Sequence, residues 1–225
     1  MSLSEFDFLL TEWLTIIVII INYSLAFYIA EKLYKRRKES PIGINDFYTG
    51  VFIFFIILAI SQSLFFYIDF FLTGFNPDFY YVDPGLIYYR IASLILIGGI
   101  GVFLIIIDRS ILKNKFKGIF GFINIAIAIL HLVYPINNKG DFIMLSIIGL
   151  IGPLLVLIVP ITFIWLGYKN PAYRTTSFLF AVGSILYCLS VLFFLTVETP
   201  TIILSMALRI SGLIILVISA TKLKL

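Results

Sequence analysis

The sequence predicts an all-α polytopic membrane protein with seven transmembrane helices, and three observations carry that expectation. Apolar residues make up 61% of the 225-residue chain and charged residues only 12%, about half the charged share of an ordinary soluble domain. The mean hydropathy of +1.12 leaves too little polar surface to clothe a water-soluble globule of this size. The apolar residues also fall in long continuous runs, and a bilayer crossing needs about 20 such residues. Seven crossings with short connections use up the length as a single domain, 1–225, with no room for a soluble catalytic or nucleic-acid-binding unit. Helices follow because lipid cannot satisfy an open strand edge.

The runs lie at 9–32, 47–73, 85–107, 118–136, 142–167, 175–197 and 200–221. The first follows eight residues without Lys or Arg and has no small-residue cleavage site, so a retained anchor is expected rather than a secretory signal. It carries Glu12, Asn22 and Ser24. The second carries Gln62, Ser63 and Asp69 and leads into the longest outer loop, Gly74 to Gly85, rich in aromatic and acidic side chains. That loop caps a cavity or anchors helices at the headgroup level. The third contains Arg90 and a close-packing surface at Gly98, Gly99 and Gly101, and the fourth holds His131, the chain's one histidine. Pro153 and Pro160 predict a kink in the fifth, a distortion membranes tolerate. The sixth carries Tyr187 and Cys188, the lone cysteine, which excludes an internal disulfide. The seventh carries Arg209, with Ser205, Gly212 and Leu216 on the same helical face.

Basic residues set the direction of the chain. Lys32, Lys35, Arg36, Arg37, Lys38, Arg109, Lys113, Lys115, Lys117, Lys169, Arg174, Lys222 and Lys224 fall on one side, Lys139 alone on the other. The N-terminus is therefore expected outside and the C-terminus in the cytoplasm, which places the protein in the cell membrane as a multi-pass chain. The net charge of +4 is accounted for by topology and calls for no nucleic acid. The lipid bilayer is the one partner that composition demands.

Two copies of a three-helix unit are expected, 9–107 and 142–221, joined by the helix at 118–136 in a parallel 3+1+3 plan. Phe70-Phe71-Leu72-Thr73 is echoed by Phe193-Phe194-Leu195-Thr196. Asp83-Pro84 and Glu198-Thr199-Pro200 each precede a helix. Arg90-Ile91 is echoed by Arg209-Ile210, and Tyr34-Lys35 by Tyr168-Lys169. Repeats of this kind place a binding site or pathway near the midplane.

Ionisable groups at membrane depth cost ~2.5 kcal/mol or more and are functional candidates. Arg209 leads them: a guanidinium able to hold an anionic ligand group, or a structural arginine tied to carbonyls and hydroxyls. Gln62, Asn22 and Tyr187 are expected around it, and His131 is a further ligand or pathway candidate. Asp69 and Arg90 lie at similar depth on adjacent helices and are expected to form an ion pair. No phosphate loop, paired histidines, HExxH or clustered catalytic carboxylates occur. Neither an enzyme nor a metal or cofactor site is expected. The last helix has no interior lysine on which retinal could be carried.

Seven helices, an outside N-terminus and the 3+1+3 plan resemble the seven-transmembrane sensory input modules that precede prokaryotic histidine kinases. They are also similar in plan to the sugar facilitators of the SWEET and PQ-loop kind, although no Pro-Gln pair occurs. The first resemblance implies a non-enzymatic sensor or receptor-like module that binds a small ligand, lipid or ion. Its signal would pass to a cytoplasmic or membrane partner docked on the basic inner loops, because no output domain is expected before the chain ends at Leu225. The second implies a solute transporter or facilitator. A structural membrane subunit is the third expectation.

Overall fold

The computed structural model describes residues 5–36, 42–193 and 199–222. Those residues form eight α-helices and no strand: α1 Glu5–Arg36, α2 Ile42–Tyr67, α3 Gly85–Ser110, α4 Ile119–Val133, α5 Lys139–Leu155, α6 Ile158–Lys169, α7 Arg174–Phe193 and α8 Thr199–Lys222. Four stretches are long and apolar enough to cross a membrane: Glu5–Lys35, Phe47–Thr73, Gly85–Ser110 and Thr201–Lys222. Many of their large side chains face outward, including Trp13, Ile20, Phe27 and Phe71. In water such a surface would drive aggregation; in lipid it is the expected exterior. The chain is a helical protein built to lie in a membrane.

Consecutive helices pack side by side from α1 to α5 and from α6 to α8, and α8 returns against α1. The main core runs through Val18, Phe47, Phe55, Phe163, Phe180 and Leu213. Phe163 on α6 stacks on Phe180 of α7 at 4.0 Å between ring centres, with Phe47 of α2 about 6 Å from each. Two residues on in α6, Trp165 lies between two ammonium groups, Lys115 at 5.6 Å and Lys169 at 4.7 Å. That amphipathic cluster suits the level where apolar tails meet headgroups.

Two predicted elements differ. The fifth apolar run, expected as one kinked helix over 142–167, is divided into α5 and α6. Pro160 has no N–H to give the Val156 carbonyl, so Val159 N–H takes that acceptor at 2.9 Å and Leu157 N–H bonds Leu154 at 3.1 Å. The helix tightens into a turn at 156–157, and α6 begins at Ile158. The fourth run is also shorter than expected: α4 has 15 residues, about 22 Å at 1.5 Å per residue.

Both ends of α4 are fastened to α3. At its start, the buried Asp108 carboxylate accepts the N–H groups of Phe116 at 3.1 Å and Gly118 at 2.7 Å. This gathers a loop in which Lys113, Asn114, Lys117 and Gly118 all take left-handed backbone angles. At its end, Arg90 Nη2 donates to the Tyr134 carbonyl at 2.6 Å. An anion therefore stands near the positive end of the α4 dipole and a cation at the negative end.

The second-copy motif from Phe194 to Glu198, and the end of the predicted span 175–197, lie outside the described residues. At the corresponding place in the first half, α2 runs into a π-helical turn, Ile68–Thr73, closed by Gly74 in the left-handed conformation.

Candidate functional site

Four helices bring polar side chains to one buried place at membrane depth. Asn22 of α1 is 0% exposed and donates through Nδ2 to Gln62 Oε1 of α2 at 2.8 Å. The Tyr187 hydroxyl of α7 interacts with the Gln62 amide and lies within electrostatic reach of the Arg209 guanidinium on α8. Arg209 Nε donates to Ser190 Oγ at 3.4 Å, Ser190 Oγ donates to the Tyr187 carbonyl at 2.6 Å, and Ser205 Oγ donates to the Ser190 carbonyl at 2.7 Å. The result is a polar chain, Asn22–Gln62–Tyr187–Arg209–Ser190, in which the Tyr187–Arg209 step is electrostatic rather than hydrogen-bonded.

Helical spacing explains the assembly. Ser205 and Arg209 are four apart on α8, and Tyr187 and Ser190 three apart on α7, so each pair shares a face. Gly183 and Gly212 then let the two helices approach. A Cβ on Gly183 would stand 2.9 Å from the Gly212 carbonyl, and one on Gly212 would stand 2.8 Å from the Gly183 carbonyl. Small residues at such a crossing are how membrane helices reach contact distance. Arg209 lies about 15 Å along α8 from Thr199, deep in a helix long and apolar enough to cross a membrane. One acceptor in the cluster, Asn22 Oδ1, is buried without a hydrogen-bond partner.

Beside Tyr187 is a gap of about 20 Å³, lined chiefly by Phe54, Phe103, Phe180 and Val159. That is room for about one water, and its apolar walls keep it dry. Tyr187 therefore has its ring in the core and its hydroxyl in the polar chain.

The loop from Gly74 to Gly85 holds a second polar group. The Tyr80 hydroxyl donates to Asp69 Oδ1 at 2.6 Å, and Lys139 Nζ bonds Asp78 Oδ1 at 2.9 Å. Burial, reinforced by the Asp69 carboxylate, pushes the Tyr80 hydroxyl above the ordinary phenol range, so it stays a proton donor. Its hydrogen bond to Lys139 and the attraction of that ammonium hold Asp78 below the usual carboxylate range. Phe142 of α5 packs among Tyr80, Tyr81 and Tyr89. The loop is thus fastened to α2 through Asp69 and to α5 through Lys139.

The expected Asp69–Arg90 ion pair does not form. Asp69 is taken by the loop phenol, and Arg90 by the end of α4, where a helix-terminal carbonyl in need of a donor does the work of a carboxylate. His131 is also placed apart from the Arg209 group. It is 1% exposed in the seam between α3, α4 and α5, against Gly149 and near the Tyr89 ring. Ser190, Tyr80 and Asn124 are polar partners that depth matching overlooks. The signal for Asn124 is its spacing, two helical turns before His131 on one face of α4.

Among the described residues no group of three or more His, Cys, Asp or Glu side chains is placed to hold a metal ion. Cys188 is partly buried and packs against the main core. Comparison with known proteins returns no match to a family model, to a curated protein or to a solved structure.

Proposed function

We propose that the protein is a non-enzymatic, receptor-like module that crosses the cell membrane seven times. It binds a small ligand in the polar chain around Arg209 and signals through a partner. In this reading the N-terminus is outside, α5 and α6 together make one broken crossing, and α4 and α7 make the two shorter ones. The halves at 9–107 and 142–221 are related as parallel repeats.

The observation that carries the reading is the convergence of Asn22, Gln62, Tyr187 and Arg209 from four different helices at membrane depth. Placing polar groups in lipid is costly, and simple helix pairing needs far fewer. A guanidinium, two amides and a phenol offer several donors, so the suited ligand carries an anionic or carbonyl group. Because the four residues sit on four helices, a ligand held there shifts those helices relative to one another and alters the inner loops. Those basic loops are the docking surface for a cytoplasmic or membrane partner.

Thermal-shift screening of detergent-purified protein against small carboxylates, phosphates and amphiphilic anions tests the reading. At least one compound is expected to raise Tm by several degrees, with more than half of that shift lost in Arg209→Gln and in Gln62→Leu. No shift across the panel, together with an Arg209→Leu variant more stable than the parent, would overturn it.

One observation favours a second reading, a small-solute facilitator: the helix break at 156–157. Broken helices are a recurring feature of transporter binding sites. Flux of radiolabelled solutes into proteoliposomes separates the two, since only the facilitator moves solute across the bilayer.

A further inference from the structure

The seam between α3, α4 and α5 holds polar atoms that the Arg209 cluster does not use. Asn124 and His131 share one face of α4 and are 0% and 1% exposed. Asn124 Oδ1 and both ring nitrogens of His131 have no hydrogen-bond partner. The ring points toward the Leu145 carbonyl without reaching hydrogen-bond geometry. The α5 residues lying over these atoms are glycines. A Cβ on Gly149 would stand 2.7 Å from His131 Nε2, and one on Gly152 would stand 2.8 Å from Asn124 Oδ1. The Asn124 carbonyl and a ring nitrogen of His131 are therefore covered by glycine C–H groups, which are weak partners. Buried polar groups are ordinarily paired. An asparagine and a histidine held against bare backbone describe a polar surface on which α5 has closed.

α5 is also set off from α6 by a two-residue turn. Its inner end is the break at 156–157, where Val156 and Val159 border the dry gap beside Tyr187. Its outer end is held by the exposed ion pair Lys139–Asp78 and by Phe142 packed among Tyr80, Tyr81 and Tyr89. The polar lining continues outward, because the Tyr89 and Ser146 hydroxyls meet at 3.4 Å and the Tyr89 ring lies 6.4 Å from His131.

We propose that this seam is a second binding site, taking a small uncharged solute that carries both a hydrogen-bond donor and an acceptor, with α5 swinging about 156–157 to admit it. A neutral imidazole offers one donor and one acceptor, and the Asn124 carbonyl a further acceptor. His131, Asn124, Tyr89 and Ser146 bring no fixed charge to attract an ion. The site does not depend on Arg209 and stands whether or not that cluster binds a ligand.

His131 is the chain's one histidine, so its carbethoxylation by diethylpyrocarbonate reads the seam directly. In proteoliposomes the folded protein is expected to be modified at His131. Acetamide at 100 mM is expected to slow that modification at least threefold in the parent and not in Asn124→Leu. Pro160→Ala restores an N–H for the Val156 carbonyl and should slow modification at least fivefold. Should that variant fail to fold, acetamide protection of the parent still decides the matter. Modification only after unfolding, or a rate indifferent to acetamide, overturns the site. Equal protection of the parent and Asn124→Leu does the same. An unchanged rate in a folded Pro160→Ala overturns the swing.

Discussion

Gln62 shares its side chain between two helices, taking a hydrogen bond from Asn22 and meeting the Tyr187 hydroxyl. Hydrogen bonds between membrane helices average about 0.6 kcal/mol and reach about 1.7. A double-mutant cycle on Asn22→Ala and Gln62→Ala, followed by unfolding in mixed detergent, should return a coupling in that range; zero coupling would place the two side chains apart. Gly183 and Gly212 face backbone rather than a yielding side chain. Gly212→Ala should therefore cost about 1–3 kcal/mol, the ordinary penalty for overpacking, measured by the same unfolding assay. This cluster is partly legible in the sequence, since depth along each predicted helix places Asn22, Gln62, Tyr187 and Arg209 near one level. The Asp69–Arg90 pairing fails by the same reasoning. Depth says nothing of a loop that folds back with a phenol, nor of a helix that stops short and offers a carbonyl.

Among the described helices, α4 is short at 15 residues, and Asp108 and Arg90 cap its two ends. Replacing Asp108 by alanine leaves the Phe116 and Gly118 N–H groups without an acceptor. It should cost about 1–2 kcal/mol, as a lost helix-start cap does, with faster amide exchange over 113–119 as the local signature. The loop from Gly74 to Gly85 is held differently. Asp78 is depressed below its reference value of 3.8 by Lys139, so its contribution is complete above that value and is lost as pH falls through the lower folded value. Lys139 is raised above 10.5 by Asp78, so its contribution is complete below that value and is lost as pH rises through the higher folded value. Exchange protection of the 74–84 amides, corrected for intrinsic rates, should fall below about pH 4 as Asp78 is protonated. Lys139→Met should remove that acid transition. Proline positions make the break between α5 and α6 legible in the sequence as a kink. The complete interruption is not legible, because it depends on which carbonyl the Val159 N–H finds.

For the whole molecule, apolar length decides the class, and the helices do present that apolar surface outward. The direction of insertion rests on the basic residues alone. Lys139 stands at the start of α5 beside Asp78, while Lys115 and Lys169 flank Trp165 at the other end of the bundle. Labelling intact cells with a membrane-impermeant amine reagent, read by peptide mass spectrometry, tests the arrangement. Modification of Lys139 from outside, with Lys35, Lys115 and Lys169 reached only after permeabilisation, is the expected result. Labelling of Lys35 or Lys115 on intact cells with Lys139 protected would contradict it.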